Sequence, residues 1–407
     1  MKRIIAAVLS TLVAAAVFAQ ELTVSGELKT GFYMEQETIG KQNPAARGGM
    51  KNTDGDSGSG EARIRLDFHL SYQNIGLRTQ FQIEPVGEKM PQPGWPFAYA
   101  YGNFFDEQLK VSGGLLGESP WATEGPRLKV EPESRDYGYD INLGGHQGFA
   151  NLAGIRFEYK PAFAPGLNLG FVLNQADMNL RDVKEQTFGD FLKETVVGIA
   201  YEHDYFAVRA AYRFDSDLDV YLLNRQNEGG RLIYHVEERV LSTVADGMRI
   251  WVDGYYYGLG AAQNQPVYFQ NWLYWLWDSV NFIAGLDVNF SMYARHTNIE
   301  YPPVNRGDYQ ELQFIPSFYY KFFGDTLRVG LGLGFGMELG DGKTWKNAPY
   351  QYIFVEPQIR FNMSANAYLA LVYNFTDSYA YPTTNNLAVF GDKSVKHLIN
   401  LRAVYVF

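Results

Sequence analysis

Between Glu61 and Gln73 the chain alternates strictly. Ala62, Ile64, Leu66, Phe68, Leu70 and Tyr72 fall on one face, and Glu61, Arg63, Arg65, Asp67, His69, Ser71 and Gln73 fall on the other. A period of two belongs to an extended strand, and no helix reproduces it. Beyond Asn74 the pattern resumes, with Leu77, Phe81 and Ile83 against Arg78, Gln80, Gln82 and Glu84, which predicts a hairpin with a tight turn. Nearer the C-terminus, Ile353, Val355, Pro357, Ile359 and Phe361 oppose Glu356, Gln358, Arg360 and Asn362. Leu327, Val329, Leu331, Leu333 and Phe335 oppose Arg328 and a column of glycines, Gly330, Gly332, Gly334 and Gly336. Such a column suits a wall that its neighbours approach closely. Pro316 and Pro357 lie inside strand-like runs, so bulges or local bends are expected there.

Carried along the chain, the pattern predicts strands over 22–33, 61–73, 75–84, 97–105, 108–116, 152–160, 166–174, 193–202, 204–213, 230–241, 247–258, 266–276, 280–295, 310–323, 325–338, 350–363, 365–375 and 397–407. Segments 97–105, 230–241 and 266–276 alternate least regularly, so the count is 16 to 18. Connections alternate between short ones (Asn74, Asp106-Glu107, Pro161 to Pro165, Asp204, Gly324, Ser364) and long ones (34–60, 117–151, 175–192, 214–229, 296–309, 339–349, 376–396). Short turns on one side and long loops on the other describe a transmembrane antiparallel up-and-down β-barrel, with short periplasmic turns and long extracellular loops. Aromatic residues at strand ends (Tyr33, Phe104-Phe105, Tyr255-Tyr256-Tyr257, Trp272, Trp275, Trp277, Phe322-Phe323, Tyr373, Phe375) read as interfacial girdles.

Composition agrees with that architecture. Aromatic residues make up 16 % of the chain, yet the mean hydropathy is only −0.24, as expected when alternate residues face lipid and a wet lumen. Lys2 and Arg3 precede an apolar stretch from Ile4 to Phe18, and Val17-Phe18-Ala19 offers a cleavage site. Residues 1–19 are thus expected to be a cleaved signal peptide, leaving 20–407 as a single barrel domain. Past that stretch no apolar run is long enough for a membrane helix. The chain has no cysteine, hence neither disulfides nor thiolate metal sites. Loss of Lys2 and Arg3 takes the net charge from −10 to −12, and an acidic chain is a poor partner for nucleic acid.

The polar faces are charged. Lys29, Arg63, Arg65, Arg78, Lys110, Arg156, Arg209, Arg213, Arg249, Arg328, Arg360 and Arg402 are assigned to the lumen, with Glu27, Asp67, Glu84, Glu158, Asp253, Asp287 and Glu356. A dry apolar interior cannot take so many charges, so a water-filled lumen is expected. Enzyme motifs fare poorly. Gly55-Asp56-Ser57-Gly58 matches a serine-protease string but lies in the low-complexity stretch Asn52 to Gly60, without a cysteine framework. Asp54, Asp56 and Glu61 fail the calcium-loop spacing, and the six histidines are scattered, so no metal, cofactor or catalytic set is assigned.

The last strand, Asn400-Leu401-Arg402-Ala403-Val404-Tyr405-Val406-Phe407, aligns Ile399, Leu401, Ala403, Tyr405 and Phe407 on one face and ends in Phe. It resembles the C-terminal signal of bacterial outer-membrane proteins that the barrel-assembly machinery reads, with Arg402 where that pattern usually carries Gly. Tyr405 and Phe407 are then the signal residues. In architecture the chain resembles the general porin class of Gram-negative bacteria. The resemblance implies an outer-membrane location, a possible homotrimer, and a loop after the fifth strand, here 117–151, that folds inward and narrows the pore. By the same resemblance Glu131, Glu133, Asp136 and Asp140 form the acidic side of the constriction and Arg63, Arg65 and Arg78 the basic ladder. Barrel closure brings Arg402 and Arg360 towards Lys29 and Glu27. The expected function is passive diffusion of small hydrophilic solutes. A substrate-specific channel for sugars or organic acids stays open, with Trp251, Tyr255 and Tyr257 as a sugar slide, as does a surface adhesin or barrel enzyme.

Overall fold

The computed structural model describes residues 21–39, 45–50, 63–84, 92–116, 121, 153–174, 195–214, 218–219, 226–227, 230–245, 247–259, 268–299, 307–339, 352–379 and 393–407. The strands are β1 (Glu21–Ile39), β2 (Ala45–Met50), β3 (Arg63–Tyr72), β4 (Ile75–Glu84), β5 (Gln92–Phe104), β6 (Leu109–Leu115), β7 (Ala153–Tyr159), β8 (Leu167–Asn174), β9 (Val196–Glu202) and β10 (Phe206–Arg213). They continue as the two-residue β11 (Leu218–Asp219) and β12 (Gln226–Asn227), then β13 (Gly230–Glu238), helix α1 (Val240–Val244), β14 (Met248–Leu259), β15 (Tyr268–Ile283), β16 (Leu286–Ile299), β17 (Gly307–Phe322), β18 (Leu327–Leu339), β19 (Tyr352–Ser364), β20 (Ala367–Tyr379) and β21 (Lys393–Val406). No helix among the described residues is long and apolar enough to cross a membrane.

Every barrel strand pairs antiparallel with its sequence neighbours, and β21 returns to pair with β1 along Glu27 to Ile39. β2 and β3 pair with successive stretches of β1, Phe32 to Glu37 and Glu21 to Lys29, and together act as one strand. Among the described residues the sheet therefore closes as an eighteen-strand antiparallel barrel. Full closure leaves no edge strand with unpaired backbone groups, which a hydrocarbon environment requires.

The faces are inverted relative to a soluble protein. On β1 Leu22, Val24, Leu28, Phe32 and Met34 are exposed. So are Ile359 and Phe361 on β19, Leu369 and Leu371 on β20, and Ile399, Leu401 and Tyr405 on β21. Their alternates, Glu356, Gln358, Asn374, Thr376, Lys396 and Asn400, point inward and are buried. Apolar out and polar in is the arrangement of a barrel solvated by lipid. Exposed aromatics gather at the tight-turn end, where Tyr72, Phe104, Phe105, Phe163, Tyr205, Phe322 and Phe323 lie on or beside the turns. Higher on the outer wall, Phe290 lies against Trp275, Trp277 and Phe314.

Three expectations change. The β15–β16 turn is Ala284-Gly285, with Gly285 at φ +84°, and not the polar Asp278-Ser279 between the two predicted strands. The left-handed backbone explains why the turn falls on a glycine. Segment 34–60 is not all loop, because β1 runs to Ile39 and β2 pairs back on it. The prolines cause no register shift: Pro316 sits opposite Phe290 and Pro357 opposite Leu331, each using the neighbour to which it need not donate a hydrogen bond. The shift on β19 falls between Asn362 and Ser364, at its end.

Glycines make room for rings. Phe354 leans across Gly334 on the inner wall, Tyr234 across Gly254 on the outer wall, and Phe407 across Gly26. An aromatic ring laid over a strand glycine restores the packing that the missing side chain gives up.

Candidate functional site

The site is the inner wall. Each cation that alternation assigns to the lumen lies on a strand position of inward parity, and three regions emerge where side chains are described.

The first spans β3 to β7. Arg65 faces Glu27 and Gln82 across the ladder, and its Nε donates to Gln82 Oε1 at 3.2 Å. Arg78 pairs instead with His69 and Tyr99, four residues further along β3. Between them Gln80 donates to Asp67. Arg63, Arg65 and Arg78 thus form a column along two strands and not one row around the bore. Aromatic faces meet the cations here: Arg78 over Phe97 at 5.9 Å, Lys110 over Tyr101 at 4.8 Å and Arg156 over Tyr99 at 5.8 Å. His69 Nε2 lies 2.7 Å from the Tyr101 hydroxyl.

The second region, on β9 to β15, is a packed charge network. His235 is fully buried (0 % exposed), with Nδ1 2.6 Å from Asp253 Oδ1 and Nε2 3.8 Å from Glu237. Trp251 Nε1 donates to Asp253 Oδ2 at 3.1 Å. Glu237 accepts from Arg249 at 2.6 Å and from Arg239 at 3.0 Å. Arg239 and Arg209 both reach Glu202, at 2.7 and 2.8 Å. Trp251 is stacked on Tyr274 and lies beneath Arg249, so its ring belongs to the wall's packing and offers no free face for a solute. Tyr255 and Tyr257 follow it on the same strand face by parity.

Beside this network lies an apolar layer inside the barrel: Tyr99, Leu116, Trp121, Val172, Val196, Ala200, Ala211, Ile233, Trp251, Tyr274 and Leu276. Trp121, fully buried (0 % exposed), covers Gly170 and Gly198 on the inner faces of β8 and β9. Trp121, the one described residue between 117 and 152, therefore sits within the barrel. Glu131, Glu133, Asp136 and Asp140 lie outside the described residues, as does the predicted signal peptide.

The third region is a row near the tight-turn end. Lys321 on β17 pairs with Arg328 on β18, Arg328 with Arg360 on β19, Arg360 with Ala370 on β20, and Ala370 with Arg402 on β21. Four cations thus follow one register line across five adjacent strands. Arg402 continues onto Gly31 of β1, two positions from Lys29, which itself pairs with Val404 and Arg63. Asp287 is ion-paired with Lys321, and Asp325 accepts from Arg328 at 2.5 Å. Arg360 Nε donates to Asn362 at 2.6 Å, and its guanidinium lies 3.8 Å from the Tyr368 ring centre. Tyr319 lies under both Lys321 and Arg328, at 5.4 and 5.3 Å. Asp325 belongs to the turn between β17 and β18, and the Arg328 hydrogen bond holds its carboxyl below the usual carboxylate range.

The interior is drier than the charge count implies. Arg156, Glu158, Glu237, Asp253, Asp287, Glu356, Glu35 and Lys396 are all buried. Several pair with one another or with an amide: Arg156–Glu158 at 2.8 Å, Lys396–Glu35 at 2.8 Å, and Asn374 donating to Glu356 at 3.0 Å. Pairing offsets the desolvation that water would otherwise have to prevent. Glu202, Glu237, Arg239, Lys321 and Trp121 are site residues that alternation alone did not select.

Geometry and closure define the fold, among the described residues, as a single closed antiparallel barrel with an apolar outer and a charged inner face. No protein-family model and no curated protein sequence matches the chain. Among solved structures it is similar to an anion-selective porin of Comamonas acidovorans, with a TM-score of 0.51 and 11 % identity over 95 % of this chain and 100 % of that one. OpdQ of Pseudomonas aeruginosa gives a TM-score of 0.48 and 11 % identity, covering 95 % and 100 %. The outer membrane channel DcaP of Acinetobacter baumannii gives 0.44 and 13 %, covering 95 % and 97 %. At these identities the likeness is one of fold.

Proposed function

We propose that the chain is a channel of the bacterial outer membrane through which small hydrophilic solutes diffuse passively. The observation that carries the reading is the inversion of faces around a closed ring of strands: Leu369, Leu371, Ile399 and Leu401 outside, Arg360, Asn400 and Arg402 inside. A wall of that kind is solvated by hydrocarbon on one side and lines a polar path on the other. Eighteen strands give a circumference wide enough for an aqueous lumen. Nothing is turned over in this reading, and the wall charges select solutes by size and charge.

The test is electrical. The folded barrel, purified in detergent and inserted in a planar bilayer, is expected to give discrete conductance steps in potassium chloride. A folded barrel that inserts and passes no current refutes the channel and favours an adhesin or an enzyme.

A further inference from the structure

We infer that the outer face of the arc β6 to β10 is where copies of this chain meet one another in the membrane.

The arc is low. β6, β7 and β9 have 7 residues each, and β8 and β10 have 8. On the far wall β15 and β17 have 16, β16 and β21 have 14, and β18, β19 and β20 have 13. Described residues outside any strand bound β6, β9 and β10 at both ends: Gln108 and Leu116, Thr195 and His203, Tyr205 and Phe214. Their shortness is therefore a property of the fold. A barrel strand rises about 3.3 Å per residue and tilts by about 40°, so the low arc stands roughly 18–20 Å high and the far wall roughly 33–40 Å. The apolar band of an outer-membrane barrel is about 25 Å tall. The far wall clears that height and the low arc falls short of it. A span shorter than its bilayer is relieved by thinning the bilayer or by association. Two low arcs set face to face exclude lipid from between them, and neither then meets the mismatch.

The same face has relief. Ile155 on β7, Phe171 on β8 and Ile199 on β9 are exposed on the outside, and the Phe157 and Phe171 rings stack at 4.6 Å, which raises a ridge. Beside the ridge the outward positions of β5 and β6 are small, with Ala98 and Ala100 next to Gly113. A Cβ built at Gly113 meets nothing within 4 Å. An apolar groove of about 440 Å³ also lies on this arc, lined by Leu109, Phe157, Tyr159, Leu169, Phe171 and Val197. A hollow next to a ridge lets each copy seat its ridge in the hollow of its neighbour, the self-complementarity that a contact between identical chains needs.

Charge and area agree with that occupant. Every outward position of β6 to β10 is apolar, glycine or tyrosine, so apposition desolvates no charge. Five strands about 4.8 Å apart, at these lengths, present roughly 600 Å² of wall per copy, and two copies about 1,200 Å², within the range of specific contacts.

The chain has no cysteine, so a single introduced one reports on a single position. I199C on the ridge and L331C on the far wall are treated with a short bis-maleimide in outer-membrane vesicles. I199C is expected to give cross-linked pairs in several-fold higher yield than L331C. G113F fills the hollow, and the open space at that position lets the barrel still fold, which heat-modifiable gel mobility confirms. It should remove the I199C cross-link and bring the detergent-purified barrel from an oligomeric to a monomeric mass by light scattering. A monomeric mass in detergent with a cross-link in vesicles that G113F removes still supports the contact, as one that detergent dissolves. No cross-link in I199C, equal yields in I199C and L331C, or a cross-link that G113F leaves unchanged overturns the inference, and acyl chains then cover the arc. Conductance reads the lumen and not this face, so loss of the channel reading would leave the contact standing.

Discussion

Gly26 and Phe407 close the barrel: the Gly26 amide donates to the Phe407 carbonyl at 2.8 Å, and the Phe407 amide donates back to Gly26 at 3.0 Å. The Phe407 ring lies where a Gly26 side chain would be. A Cβ there would come within 2.6 Å of the ring and 2.5 Å of the Arg65 carbonyl. Phe407, one residue past β21, is thus the lid over a gap in β1.

It follows that G26V should block closure and not merely weaken it, because the backbone carbonyl of Arg65 cannot step aside. Refolding into detergent, followed by heat-modifiable mobility, should show little folded barrel for G26V. A Phe407→Ala chain should fold but unfold at lower urea. Full-yield folding of G26V would contradict the geometry.

Trp121 predicts a change in stability and in width together. Its ring fills the space over Gly170 and Gly198, so W121A leaves a cavity costing about 3 kcal/mol of barrel stability. The single-channel conductance should rise in the same variant. A stability loss with conductance unchanged would place the ring clear of the ion path.

The wall column on β3 and β4 predicts charge selectivity. Replacing Arg63, Arg65 and Arg78 together by Ala should lower the chloride-to-potassium permeability ratio several-fold, since wall charge biases the local ion concentration. The zero-current potential under a salt gradient reads this directly. An unaltered ratio removes the column from the selectivity filter and leaves the barrel intact.

Asp325 predicts a pH response. Its carboxyl is held below the ordinary range by the Arg328 hydrogen bond, so its contribution is present at neutral pH and is lost as pH falls through that lowered value. Protonation removes the Asp325 charge beside Arg328 and adds positive charge to the row. Anion preference should therefore rise on acidification in wild type, whereas D325N should start higher at neutral pH and respond less. Superimposable pH curves would discard the coupling.

The buried network on β13 and β14 predicts a large loss on removing one partner. H235A leaves the Asp253 and Glu237 carboxylates buried with a donor missing, which should cost about 3 kcal/mol in urea unfolding. A loss under 1 kcal/mol would show that water reaches the pair.

Strand-by-strand architecture was legible because a wall between two solvents imposes a period of two on nearly every residue. Glu61 to Gln73 and 350–363 announce themselves that way. The turn at Ala284-Gly285 did not, since Asp278 and Ser279 carry the stronger turn chemistry and the deciding fact is a left-handed backbone at Gly285. Ala45 to Met50 lacks alternation altogether, and its pairing with β1 is dictated by the hairpin. The inward cations were readable from parity, but the row was not, because register between strands decides which of them meet. Trp121 stands in the sequence as one aromatic within the charged segment 117–151. The signal that could have found it was the pair of inward glycines, Gly170 and Gly198, on adjacent strands.

The glycine column of β18 bears on how such a passage could be resized. Because Gly334 has no side chain, the Phe354 ring can recline along the wall instead of standing out from it. Bulk on this stave is stored sideways, so the calibre there depends less on how large the neighbouring residues are than on whether a recess exists to receive them. Filling one recess would act as an adjustable throttle, narrowing the throat through a residue that no solute touches.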